Sequence, residues 1–198
     1  GMRWILEGEA NDYVAKGMSG GEIALLPPRE AQYTTPQVIA GNTVLYGATG
    51  GSLFIAGKVG ERFAVRNSGA TAVVEGTGDH CCEYMTGGLA VILGPTGRNF
   101  GAGMTNGLAY VYDQDGAFPG QINEESVLLE SLTSEADAIA LREVIERHVH
   151  HTGSRHAQAL LENWPATLSS VWKVIPRAAH LLAAATPADE VEAKGAAD

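Results

Sequence analysis

The sequence predicts a mainly β chain, a solenoid of parallel strands carrying C-terminal α-helices, on three observations. A short glycine-centred word occurs five times: Met18-Ser19-Gly20-Gly21, Ala48-Thr49-Gly50-Gly51, Asn67-Ser68-Gly69-Ala70, Met85-Thr86-Gly87-Gly88 and Met104-Thr105-Asn106-Gly107. Counted from their last residues, the words lie 30, 19, 18 and 19 residues apart, and a fixed period of this size marks a stacked repeat. Each word is followed by five residues of strand composition, at 22–26, 52–56, 71–75, 89–93 and 108–112.

The long first interval holds Pro27-Pro28 and Pro36, so it reads as one extra loop between two rungs. The last four words also have strand-like residues in front, at 44–46, 63–65, 81–83 and 100–102, which predicts two strands per turn with tight corners between them. Glycine and asparagine suit such corners because they reach positive φ cheaply, and a Ser or Thr hydroxyl can bond to nearby backbone. From Ser134 the composition changes to helix formers. Ser134-Glu135-Ala136-Asp137 resembles a capped helix start, Ile139, Val144, Ile145 and Val149 form a stripe at helical spacing, and Gly153 ends it. A second helix is expected over 155–163 and a short third over 167–172, before Pro176. The chain therefore divides into a solenoid at 1–125, a helical extension packed on or beside it at 126–186, and an acidic, Ala-rich tail at 187–198 expected to be disordered.

Stacking the words in register predicts the interior. Leu25, Ile55, Val74, Ile92 and Val111 fall in one column, with Ile23, Leu53, Ala72, Ala90 and Ala109 two residues earlier; both face inward by strand parity. The residue between them points outward, yet Ala24 is followed down that column by Phe54, Val73, Val91 and Tyr110. So large an apolar face is unusual on a free surface. These last four are the candidate interface residues, expected to lie under the C-terminal helices or a partner domain.

The 198 residues, 45% of them hydrophobic, suffice for one domain with a substantial core. A formal charge of −10 without a Lys/Arg cluster argues against nucleic acid and anionic membranes as partners. No apolar run is long enough to span a bilayer, and the start lacks a signal peptide's apolar core, which predicts a cytoplasmic protein. Cys81 and Cys82 are adjacent in an expected strand and would point to opposite faces as reduced thiols, away from any spaced ligand set.

Several motifs suggest chemistry and have better structural explanations. Gly17-Met18-Ser19-Gly20-Gly21 fits the G-x-S-x-G pattern of a nucleophile elbow, but a strand follows where that elbow needs a helix. Gly57-Lys58 lacks the first glycine and the Ser/Thr of a phosphate loop, and Gly101-Ala102-Gly103 lacks the third glycine of a dinucleotide fingerprint. His148, His150, His151 and His156 are clustered without a matching carboxylate pair, so solvated helix-end histidines are favoured over a metal site. Glu83 is the polar anomaly. It shares an expected inward column with Tyr46, Val65 and Ala102, and a buried carboxylate needs a partner. Arg62, Arg66, His80 and Arg98 are on neighbouring rungs; a structural ion pair with Arg66 is the candidate.

The longer words carry a family resemblance. Residues 9–21 (EANDYVAKGMSGG), 60–70 (GERFAVRNSGA), Gly78-Asp79-His80 with 82–88 (CEYMTGG), 99–104 (NFGAGM) and a segment expected to be helical at 172–176 (WKVIP) closely resemble the C-terminal glycine-rich domain of the glutamate synthase large subunit. The resemblance implies a right-handed parallel β-helix. It also implies an enzyme that makes two glutamates from glutamine and 2-oxoglutarate, taking electrons from NADPH or another donor through FMN and iron-sulfur clusters. In that enzyme the β-helix is a scaffold, so no catalytic, cofactor-binding or metal residue is expected in this chain, and its partners are the other domains or subunits of glutamate synthase. Asn106 and Cys81 depart from the family pattern without threatening the fold. Trp4-Ile5-Leu6 begins directly in strand material where the family has further rungs, which suggests a fragment or a shortened stand-alone relative with an uncapped end able to form a homo-oligomer. The alternative is a stand-alone β-helix subunit of another redox complex, such as a formylmethanofuran dehydrogenase type assembly.

Overall fold

Each glycine word opens a strand. In chain order the strands are β1 (Arg3–Glu7), β2 (Ser19–Leu26), β3 (Val38–Ala40), β4 (Gly50–Ile55), β5 (Lys58–Val59), β6 (Ser68–Val74), β7 (Thr86–Ile92) and β8 (Asn106–Tyr112). They are followed by β9 (Val127–Ser131), α1 (Glu135–Thr152), α2 (Arg155–Glu162), α3 (Trp164–Ser169), β10 (Val171–Pro176) and α4 (Arg177–Ala185). This computed structural model describes residues 1–185 apart from 29, 32 and 34; the tail expected to be disordered at 187–198 lies outside the described residues.

The main sheet runs β1-β2-β4-β6-β7-β8-β10-β9, its first six strands all parallel, so the chain coils once per strand. A second, two-stranded parallel sheet pairs β3 with β5. The register is the one the glycine alignment predicts: Leu53 pairs with Ala72, Ala72 with Ala90, Val91 with Tyr110 and Ile92 with Val111. Both inward columns lie in one apolar core inside the coil.

At the words themselves the ladder slips. Register shifts fall between Ser19 and Glu22, Ser68 and Thr71, and Thr86 and Leu89, and Gly51 and Gly88 there take φ of 96° and 81°. Such bulges favour glycine. The third word has Ala70 instead, and Asn67, fully buried, brackets it: Asn67 Oδ1 accepts from the Ala70 N–H (2.9 Å) and its Nδ2 donates to the Ala70 carbonyl (3.0 Å).

The segments in front of the words correct the expectation of a second strand per turn. Residues 44–46, 63–65, 81–83 and 101–102 are turns in which left-handed residues recur at every second position, and Phe100 makes only an isolated parallel bridge to Ile122. Arg62, Ala64 and Arg66 have φ of 62°, 58° and 57°; His80, Cys82 and Tyr84 have 63°, 58° and 53°. Each such residue costs about 1–2 kcal/mol outside glycine. Two gains offset this. Their N–H groups reach neighbouring rungs, as in Ala64 to Val44 O (2.9 Å), Cys82 to Phe63 O (2.8 Å) and Arg66 to Glu83 O (2.9 Å). They also let successive residues face the core together: Val44 with Leu45, Phe63 with Ala64 and Cys81 with Cys82 are all buried.

A second glycine column, Gly41, Gly60, Gly78 and Gly97, forms its own ladder, with N–H to carbonyl distances of 2.9, 3.0 and 3.1 Å between successive members. Beside it, side chains cap the next rung. Asp12 Oδ1 accepts from the Asn42 N–H (2.7 Å), Asn42 Oδ1 from Glu61 (2.8 Å) and Asp79 Oδ1 from Arg98 (2.8 Å). The Arg98 N–H and guanidinium together hold the Asp79 carboxyl below its ordinary pKa.

The helices start and stop for local reasons. Ser134 caps α1 by accepting from Asp137 N–H (3.3 Å), and Gly153, at φ 66°, ends it. Ser154 caps α2 through Ala157 N–H (3.0 Å). The expected helix at 167–172 stops at Ser169 as α3, and residues 172–176, expected to be helical, lie in strand β10. Val171, Val174 and Ile175 favour strand, and the open edge of β8 supplies a partner: β10 pairs antiparallel with β8 and with β9. The segment from residue 126 to 185 thus adds two strands to the sheet as well as helices.

At Gly87 the stacking allows no side chain, whereas the fifth word carries Asn106 at the matching position. A Cβ on Gly87 would lie 2.3 Å from the Ser68 carbonyl oxygen, whereas one on Gly20, the matching position of the first word, meets nothing within 4 Å. Gly87→Ala is expected to cost about 2–3 kcal/mol in urea unfolding, and Gly20→Ala to lie within about 1 kcal/mol of the parent.

Candidate interface and buried polar sites

Phe54, Val73, Val91 and Tyr110 are at most 2% exposed, packed in a second core against Leu141 and Ile145 of α1, Ala157 and Leu160 of α2, and Val171. The chain's own helices occupy this face. His151 stacks on the Phe54 ring at 4.8 Å and an interplanar angle of 21°, and the Arg147 guanidinium lies 5.2 Å from its centre while bonding Ser52 Oγ (3.1 Å). Burial and the Asp137 carboxylate push the Tyr110 phenol pKa up, and Lys173 Nζ reaches that same carboxylate at 2.7 Å. A charge introduced at Phe54 or Tyr110 would therefore disrupt folding before it reached any partner.

Polar groups pin the helices to this face. His148 is fully buried; with its ring proton on Nε2 it donates to Glu75 Oε1 (3.2 Å), and the Ser154 hydroxyl donates to the same oxygen. Ser154 thus caps α2 and ties it to the strand end in one contact. Three of the four clustered histidines depart from the solvated expectation. His148 is enclosed, His156 Nε2 donates to the Leu93 carbonyl (2.6 Å), and His151 bridges Glu22 Oε2 (3.2 Å) and Arg3 Nη2 (2.9 Å). Only His150 among them is exposed. Parity places Glu75 on the same side of its strand as Val73, which is the sequence signal for this site.

Glu83 is largely buried and its ion pair is with His80 Nδ1 (2.9 Å), not Arg66. The left-handed turn curls residue 80 back over residue 83, and Arg66 meets Glu83 through main chain, N–H to carbonyl. Ser19 and Lys58 lie in strands β2 and β5, where neither a nucleophile elbow nor a phosphate loop would place them. Among the described residues, no three His, Cys, Asp or Glu side chains converge as metal ligands, and no helix is long and apolar enough to cross a membrane.

The sheet ends in β1 on one side and β9 on the other. All five residues of β1 are exposed, Trp4 at 63% and Ile5 at 59%, because β1 pairs with β2 alone.

Comparison with known proteins gives a consistent result. The GXGXG motif family model matches residues 1–177. The chain is 54% identical over 177 residues to ferredoxin-dependent glutamate synthase 2 of Synechocystis sp., covering 89% of this chain and 11% of that protein. It is 53% identical to the chloroplastic ferredoxin-dependent glutamate synthase 2 of Arabidopsis thaliana, with the same coverage. To the NADH glutamate synthase of Schizosaccharomyces pombe it is 52% identical over 195 residues, covering 98% of this chain and 9% of that protein. The chain spans about a tenth of the length of the curated relatives it matches.

Two outcomes are expected. Glu75→Leu leaves the His148 N–H and the Ser154 hydroxyl unpaired in an apolar layer and should cost about 2–4 kcal/mol in urea unfolding, while Glu75→Gln, which keeps an acceptor, costs about half that. Burial, with help from Arg3, His150 and Arg147, lowers the His151 pKa in the folded state against the opposing pull of Glu22. The unfolded chain then binds the extra proton first, so this contribution is full above about pH 6.5 and is lost as the pH falls through the folded value. His151→Phe, which keeps a ring on Phe54, should shrink the loss of stability between about pH 7.5 and about pH 5.5, measured by thermal unfolding.

Proposed function

The chain belongs to the GXGXG-motif family, and from that premise we propose that it is the non-catalytic scaffold of a glutamate synthase type enzyme, which converts glutamine and 2-oxoglutarate into glutamate in ammonia assimilation. The observation that carries this is coverage: similarity runs through nearly the whole coil, yet about nine-tenths of each relative lies beyond the matched segment. The amidotransferase, the FMN-binding synthase barrel and the iron-sulfur centres belong, in this reading, to that remainder.

The uses already found for the polar side chains support a structural role. Glu75, His148, His151 and Glu83, the groups best suited to acid-base work, are each bound to a structural partner. Near-equal similarity to relatives named for ferredoxin and for NADH suggests that the electron donor is chosen elsewhere in the enzyme. Other domains or subunits would meet the coil at the open edge of β1 and over the outer surface of the helices. A cytoplasmic setting suits this chain, although relatives named as chloroplastic extend the family beyond it.

The purified chain should contain neither flavin nor iron and should not hydrolyse glutamine; any of the three found stoichiometrically would overturn the proposal. Residues 1–177 grafted in place of the matching segment of the Synechocystis enzyme should preserve its FMN content and turnover. A folded graft that binds FMN but has lost turnover would contradict a purely structural role.

A further inference from the structure

Strand parity sends Cys81 and Cys82 to opposite faces, and the structure brings them together instead. Cys82 is left-handed, at φ 58°, which turns its side chain to the side that Cys81 faces. Both residues are 0% exposed and their sulfurs are 3.6 Å apart, in contact within the core that also holds Phe63, Met85 and Phe100. The Thr77 hydroxyl lies beside the Cys81 thiol.

We propose that Cys81 and Cys82 form an oxidation site, a vicinal dithiol that a hydroperoxide converts into a disulfide between adjacent residues. One sulfur attacks the peroxide, the O–O bond breaks, and water leaves, giving a sulfenic acid. The second sulfur displaces the hydroxyl, the S–S bond forms, and a second water leaves. Two thiols and one hydrogen peroxide thus give one disulfide and two waters. Ring closure is favoured because the resolving thiol is already in contact, while the chain has no third cysteine to compete. The strip that carries the pair also carries Tyr84, 57% exposed. Burial pushes the Cys81 thiol pKa well up, which makes its oxidation slow rather than immediate.

The product is expected to be labile. Adjacent Cα atoms are about 3.8 Å apart across a trans peptide, shorter than the roughly 4.4–6.8 Å that unstrained disulfides span. Strained disulfides are readily reduced.

The test is peroxide treatment of the whole chain, alkylation in denaturant and tryptic mass analysis. Cleavage at Arg66 and Arg98 leaves both cysteines in peptide 67–98. That peptide should lose two hydrogen atoms and resist alkylation, and dithiothreitol should restore both thiols. Two thiols that remain alkylatable, sulfinic or sulfonic acid without ring formation, or a disulfide between chains would each overturn the proposal. Cys81→Ala should give no ring and a sulfenic acid at Cys82 that dimedone traps. Should that variant not fold, phenylarsine oxide on the parent chain decides: a one-to-one adduct that shields both thiols supports the dithiol, and no adduct contradicts it.

Discussion

Each turn of this coil must satisfy its main-chain N–H groups on the turns beside it, and most other features follow from that requirement. The bonds run in three ladders: the parallel sheet, the left-handed strip and the second glycine column. Neighbouring strands lie about 4.8 Å apart in such a ladder, which leaves no room for a Cβ where main chains cross closely. Gly87 stands against the Ser68 carbonyl for that reason, and the period near 19 residues is the chain length needed to return to the same contact. Once the glycines fix the turn length, apolar residues of successive turns fall into columns automatically.

The columns were legible in the sequence because the glycine words set the register and strand parity did the rest. Leu53, Ala72 and Ala90 are stacked as the alignment places them. The segments before the words misled because left-handed residues recur at every second position, the period of a strand. The consequences differ, however. Consecutive side chains such as Phe63 and Ala64 can both face inward, so parity fails there, and with it the expected separation of Cys81 from Cys82 and the pairing of Glu83 with Arg66. The strand at 171–176 was missed because its partner is the last free edge of the coil, a tertiary feature that local composition does not reveal. The enclosed histidines were missed for a related reason: on a helix taken by itself they lie near a polar end, and only docking on the sheet buries His148 against Glu75.

The helices give the structure a second layer with its own logic. The outward column of the coil is as apolar as the inward ones because α1 and α2 close over it, and Glu75, Ser154, Arg147 and Lys173 fix how they close. Side chains that would attract attention as catalytic groups are therefore part of the fastening. The exposed surface includes β1 and the solvent side of the helices.

The central claim is that the left-handed strips are ladders as firm as the sheet. Amide hydrogen exchange followed by NMR tests it at Leu45, Ala64 and Cys82, whose N–H groups bond to Val14, Val44 and Phe63 of the preceding turn. These amides should exchange as slowly as those of Ala72 and Ala90 in the sheet, through global unfolding. Exchange at loop rates while the sheet amides stay protected would contradict the account.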